Sequence, residues 1–194
     1  MIDYTIDTNA RPTVHFLIAA IALLLALLVG PIFSAADARW LAPSAFTLFG
    51  LAVFSFEKFF WKREPITTWL GVPNLEGEYA GTVERGAVGE ENYERHEVDV
   101  TISQTWSTIQ MILKSRDGQV ASRLSTCGFF VARGRSPSFK YTYSNQDLKG
   151  HNELSKYGEG TAELFIAGEK GKFFLEGAYY GSKGRSGRVK LQPK

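Results

Sequence analysis

Charge is what the first third of this chain lacks. Positions 12–36 hold no acidic or basic residue except His15, and positions 40–56 hold none at all. Such runs exclude an ordinary solvated helix pair, because a surface helix carries one polar face. Cysteine is scarce too. The single Cys127 excludes an intrachain disulfide, fits a reducing compartment, and reads as a small strand residue. Of the three histidines no two share a metal-ligand spacing, and Glu94, His96 and Asp99 read as an exposed strand edge. No phosphate loop occurs: the basic run at 168–172 is a hairpin turn, not a strand-to-helix loop. No Ser-His-Asp order sits on a nucleophile elbow. With no catalytic set, the reading is a non-enzyme with no cofactor. A net charge of +2 is too small to hold DNA or RNA by bulk charge.

What is present divides the chain. A helix needs ~20 apolar residues to cross a bilayer core. The apolar runs predict a polar N-terminus over 1–11, a transmembrane hairpin over 12–63 with spans at about 13–33 and 40–60, and a linker over 64–74. Asp3 and Asp7 against Arg11 argue against a cleaved signal peptide, which needs a positive leading region. Arg11 before the hairpin and Lys58, Lys62 and Arg63 after it place both ends in the cytoplasm, by the positive-inside rule. Trp40 and Trp61 stand at the ends of the second span.

From position 75 the apolar period becomes two, and all but two of the 19 glycines follow Gly50. Alternating runs at 75–85, 96–104, 106–115, 120–132, 138–144, 159–167, 172–180 and 187–192 predict about eight antiparallel strands. That count with short turns suggests a small lipocalin-like β-barrel over 75–194, a two-sheet sandwich being the alternative. Charge is uneven within it: the second part, from 114 onward, is basic and predicts an electropositive edge. Alternation points Tyr79, Arg85, Tyr141, Tyr143, Asn145 and Tyr179 inward, together with Gly77, Gly81, Gly177 and Gly187. Polar tips and missing side-chain volume suggest an aromatic-walled cavity. A filled core, with glycines only relieving curvature, is the competing reading.

The order of short motifs carries further information. Leu75-Glu76-Gly77-Glu78-Tyr79-Ala80-Gly81 is followed by Ile102-Ser103-Gln104-Thr105-Trp106, Ser122-Arg123-Leu124-Ser125, Tyr141-Thr142-Tyr143-Ser144-Asn145, and Leu175-Glu176-Gly177-Ala178-Tyr179-Tyr180. Behind an apolar hairpin, this order resembles the two-transmembrane, β-strand-rich effectors of bacterial cyclic-oligonucleotide anti-phage signalling (CBASS). The resemblance implies a multi-pass inner-membrane protein whose cytoplasmic barrel binds a cyclic dinucleotide made by a cognate nucleotidyltransferase. Binding would promote homo-oligomerisation, disruption of the lipid bilayer, and death or arrest of the infected cell. For such a ligand the platforms are Tyr79, Trp106, Tyr141, Tyr143 and Tyr179, since bases stack on aromatic rings. The donors are Arg85, Arg123, Ser125, Thr126, Asn145 and His151. His151 falls in a long segment, 146–156, placed to close over the barrel mouth. A membrane-tethered, lipocalin-like binder of an apolar small molecule is the alternative, and an assembly protein with a solid barrel core is the third reading.

Overall fold

The computed structural model describes residues 1–36, 42–86, 94–118, 120–131, 137–147, 157–169, 172–182 and 186–194. The chain forms two compact units: Thr8–Leu70, and Met1–Asp7 together with Gly71–Lys194.

The first unit is helical. Helix α1 (Ala10–Ala35) has 26 residues and includes Pro31. At ~1.5 Å per residue it is about 39 Å long, more than the ~30 Å of a hydrocarbon core. It exposes Phe16, Leu24, Leu28 and Ile32, an apolar surface too extensive for water alone. Helix α2 (Ala45–Lys58) packs on α1 and has only 14 residues, or about 21 Å. Among the described residues α1 alone is long and apolar enough to cross a membrane. The span expected over 40–60 is therefore not one helix. Ser44 stops it at one end, its hydroxyl accepting from the Thr47 amide at 3.0 Å, just after Pro43. At the other end Phe59 leaves helical geometry at φ −127°, and a 3-10 turn follows over Phe60–Lys62. The expected linker is helical in its first part, as α3 (Glu64–Leu70). Pro65 stands in that first turn, where its missing amide costs nothing.

The second unit is all-β. Its strands are β1 (Ile2–Ile6), β2 (Gly77–Arg85), β3 (Glu94–Gln104), β4 (Thr108–Ser115), β5 (Val120–Val131), β6 (Ser138–Asp147), β7 (Tyr157–Glu169), β8 (Lys172–Gly181) and β9 (Ser186–Pro193). From β2 to β9 each strand pairs antiparallel with the next, and β9 returns to β2, so the sheet closes as a barrel. β4 and β5 pair directly only where Ile112–Lys114 face Arg123–Ala121. Beyond that, β5 shifts register between Leu124 and Gly128, as a bulge does. β1 fills the opening. It runs antiparallel to β4, with Ile2 opposite Ile109, and parallel to β5, with Tyr4 opposite Gly128. The expected polar N-terminal tail is thus a barrel strand in Ile2–Ile6, and Tyr4 is completely buried. Gly128 makes the space: a Cβ there would lie 2.8 Å from the Phe139 ring and 3.2 Å from the Tyr4 Cβ.

The barrel is packed shut at the β1 end. Gln104 is buried and fully used: its Oε1 accepts from the Leu75 amide at 2.8 Å, and its Nε2 donates to the Pro73 carbonyl at 3.3 Å. The Tyr4 hydroxyl donates to the Thr105 carbonyl at 3.2 Å. Trp106, Ile109, Phe130, Phe139 and Leu164 fill the space between. Inward glycines have a different task from the one the sequence suggested. A Cβ on Gly81 would lie 1.9 Å from the Lys190 carbonyl oxygen, and one on Gly177 would lie 1.8 Å from that of Glu163. These glycines permit strands to cross closely in a tightly coiled barrel; neither borders the cavity.

Candidate ligand cavity

Alternation along the eight strands β2–β9 builds a cavity in the part of the barrel away from the packed end. Val83, Val98, Met111, Leu124, Ala162 and Val189 give its apolar lining. Arg85, His96, Ser115, Ser122, Asn145, Tyr141, Tyr143 and Tyr179 give its polar and aromatic lining. The space open to the centre of a water molecule is about 170 Å³. A few placed polar groups on a mainly apolar concave wall is the usual make-up of a small-molecule site.

The aromatic wall is one continuous ladder. Tyr4 meets Phe130 edge-on at 4.9 Å between ring centres, Phe130 meets Phe139 at 4.6 Å, and Phe139 stacks on Tyr141 at 5.3 Å. Tyr141 then meets Tyr143 at 6.4 Å, and Tyr143 meets Tyr179 at 6.2 Å with planes 74° apart. These are favoured aromatic distances. The ladder begins in the packed core and ends at the cavity, where the rings carry hydroxyls.

Burial governs the phenols. It pushes Tyr143 up to about 12, with the neighbouring Tyr179 adding to the shift. Burial raises Tyr141 further, again with a contribution from Tyr143. Tyr179 is raised by burial, while the Arg85 charge pulls it down and that of Glu94 pushes it up. At neutral pH the wall therefore presents neutral hydroxyls able to donate and accept. A phenol whose folded value is raised stabilises the fold fully below the unfolded value near 10, and that contribution is lost as pH rises toward 12. Alkaline titration followed at once by phenolate absorbance and circular dichroism is expected to show stability falling from pH ~10. Phenolate should appear together with unfolding. Full ionisation of the tyrosines near pH 10 in a still-folded barrel would refute the buried wall.

The cationic side of the cavity is narrower than composition suggests. Arg85 extends from the inward row of β2 and lies 3.7 Å from the Glu94 carboxylate. His96 stands beside it on β3, with Nδ1 3.6 Å from Asp117 and Nε2 3.9 Å from Glu94. Outside the barrel, several basic residues are paired. Arg116 binds Glu97 at 2.8 Å and Asp99 at 3.2 Å, and Lys194 binds Asp99 at 3.1 Å. The Arg116 and Lys194 hydrogen bonds hold the Asp99 carboxyl below the usual range. The expected electropositive edge is thus partly met by the acidic residues of β3.

Of the residues singled out in the sequence, Arg85, Arg123, Tyr141, Tyr143, Asn145 and Tyr179 border the cavity. Arg123 does so from the rim: it is exposed, between the inward Ser122 and Leu124. Tyr79 and Trp106 lie outside the lining. The Tyr79 hydroxyl donates to the Leu75 carbonyl at 3.0 Å, and Trp106 is buried at the packed end. The side chains of Ser125 and Thr126, and all of His151 with the segment around it, lie outside the described residues. His96, Ser115 and Ser122 are cavity groups that the sequence reading missed. His96 has the same parity as Val98, Val100 and Ile102, which was the signal available.

Among the described residues, a closed sheet with a lined cavity defines a small ligand-binding type of β-barrel, in a chain that also holds a long apolar helix. Residues 70–192 match the family model described as "Cap15, cyclic dinucleotide receptor domain", and the chain belongs to that family. CD-NTase-associated protein 15 of Yersinia aleksiciae is 30% identical over 132 residues, which is 68% of this chain and 59% of that protein. The chain therefore spans about six tenths of the length of this relative.

Proposed function

We propose that this protein is a membrane-bound effector of cyclic-oligonucleotide anti-phage signalling, whose barrel cavity binds a cyclic dinucleotide. The single observation that carries the reading is the pairing of a hydroxylated aromatic wall, Tyr141, Tyr143 and Tyr179, with Arg85 in one cavity. A cyclic dinucleotide brings flat bases, which stack on aromatic rings, and two phosphodiesters, which call for charged donors. Asn145 and the serines supply neutral hydrogen bonds for base edges. An apolar ligand, the alternative, would offer the three phenol hydroxyls no hydrogen-bond partner in a partly desolvated site, at a cost of about 1–3 kcal/mol each.

The helical unit is the output element in this reading. In this reading the chain enters and leaves the helical unit on the same side of a membrane, which the membership of β1 and β2–β9 in one unit supports. Arg11, Lys58, Lys62 and Arg63 assign that side to the cytoplasm. An α2 of about 21 Å is shorter than the bilayer core. Such mismatch thins the bilayer or drives helix association. Ligand-promoted homo-oligomers would concentrate that stress and disrupt the inner membrane.

The test is calorimetric. The full chain in nanodiscs is titrated with a panel of cyclic dinucleotides and, separately, with fatty acids. Micromolar or tighter binding of one cyclic dinucleotide is expected. Heat from fatty acids alone would establish the apolar carrier instead.

A further inference from the structure

The carboxylate of Glu94 lies against both Arg85 and His96 of the cavity wall, 3.7 Å from Arg85 Nη1 and 3.9 Å from His96 Nε2. Both separations exceed hydrogen-bond length, so Glu94 places its negative charge beside the pair without locking it. Its own side chain is 70% exposed and free to swing away, whereas Arg85 and His96 are 30% and 27% exposed. Register fixes the arrangement: Arg85 is opposite Glu94, and Val83 is opposite His96, across β2 and β3. The other side of His96 also faces a carboxylate, 3.6 Å away. Nδ1 faces Asp117, whose second oxygen accepts from the Ser115 hydroxyl at 2.5 Å.

We propose that Arg85 and His96 form one anion-binding pair and that Glu94 occupies it in the free protein as an intramolecular stand-in for the ligand's phosphodiester. Glu94 is thereby a specificity-determining residue. Only an anion that binds the pair better than a tethered carboxylate displaces it, which selects a phosphodiester over the weakly held anions that a cell contains in excess. This inference rests on the cyclic-dinucleotide reading of the cavity and assigns its phosphate end. The charged and titratable groups facing His96 are Arg85 from β2, Glu94 from β3 itself and Asp117 after β4. Tyr143 and Tyr179 stand on the far wall, and Arg123 and Glu159 at the rim.

Two readouts on the full chain in nanodiscs separate this inference from the reading beneath it. The first follows the His96 imidazole by NMR, assigned with His96→Gln, while inorganic pyrophosphate is added. Pyrophosphate is expected to perturb His96, and Glu94→Gln to tighten that interaction about three- to tenfold. The second repeats the calorimetry with the cyclic dinucleotide panel, where Glu94→Gln should raise affinity by a similar factor. If cyclic dinucleotides bind and Glu94→Gln leaves their affinity unchanged or weaker, the stand-in role is overturned and the receptor reading stands. If none binds while pyrophosphate still reports a Glu94-gated pair, the receptor reading falls and the anion pair stands. A His96 resonance indifferent to both Glu94→Gln and pyrophosphate would overturn the pair itself.

Discussion

Tyr4→Ala is expected to destabilise the barrel by about 3–5 kcal/mol, the range for deleting a buried aromatic side chain. The residue lies before the first helix, far in sequence from the strands it supports, yet it is completely buried. Three losses combine. The ring leaves its edge contact with Phe130, the Thr105 carbonyl loses a hydrogen-bond donor, and the gap between β4 and β5 loses its filler. Tyr4→Phe keeps the ring and should cost only about 1 kcal/mol, the net value of one hydrogen bond. Thermal or denaturant unfolding of the full chain measures both. A fragment of residues 71–194 lacks β1 altogether and should melt well below a version in which residues 1–7 are joined to Gly71 by a flexible linker. Equal melting of the two fragments, or a Tyr4→Ala variant within about 1 kcal/mol of the parent, would show that the eight-strand meander stands without β1.

That strand shows where sequence reading stops. Ile2, Tyr4 and Ile6 alternate correctly, but five residues between Asp3, Asp7 and an apolar helix carry too little pattern to name a strand. The partners that decide it are Ile109 and Gly128, and long-range pairing leaves no local mark. The eight strands after position 75 were legible because period two persists over 8 to 13 residues in each. Parity also gave the inward rows. It did not give depth. Tyr79 and Tyr143 both point inward, yet one hydroxyl is bound in the packed end and the other lines the cavity. His96 was hidden for a different reason: charged neighbours on the opposite face made an inward residue look like part of an exposed edge. In the helical unit, counting apolar residues overestimated α2, because an apolar run records composition, whereas Ser44 and Phe59 record where hydrogen bonding begins and ends. The apolar count succeeded for α1, whose run has no such interruption apart from Pro31.

Arg85→Ala is expected to lower cyclic-dinucleotide affinity by about a hundredfold or more, while Arg123→Ala changes it by less than about threefold. The contrast follows from position, since both residues are arginines bordering one cavity. Arg85 belongs to the inward row of β2 and is mostly shielded, so its charge acts on a bound phosphate through a partly desolvated path. Truncating a buried charge partner costs roughly 2–5 kcal/mol. Arg123 is exposed at the rim, where solvent and salt screen its charge, and rim charges contribute mainly to association rate. Raising salt should therefore erase most of any Arg123 effect and little of the Arg85 effect. Removal of Arg85 also frees Glu94 from a loose 3.7 Å ion pair whose glutamate is 70% exposed, so the fold should keep its melting temperature within about 2 °C. Calorimetry with the best member of the ligand panel, at two salt concentrations, reads all of these. Tyr143→Leu supplies the matching measure of the aromatic wall, with an expected loss of about tenfold from one lost stacking face. Equal losses at Arg85 and Arg123 would move the phosphate to the rim, and the inward row of β2 would then have no part in holding it.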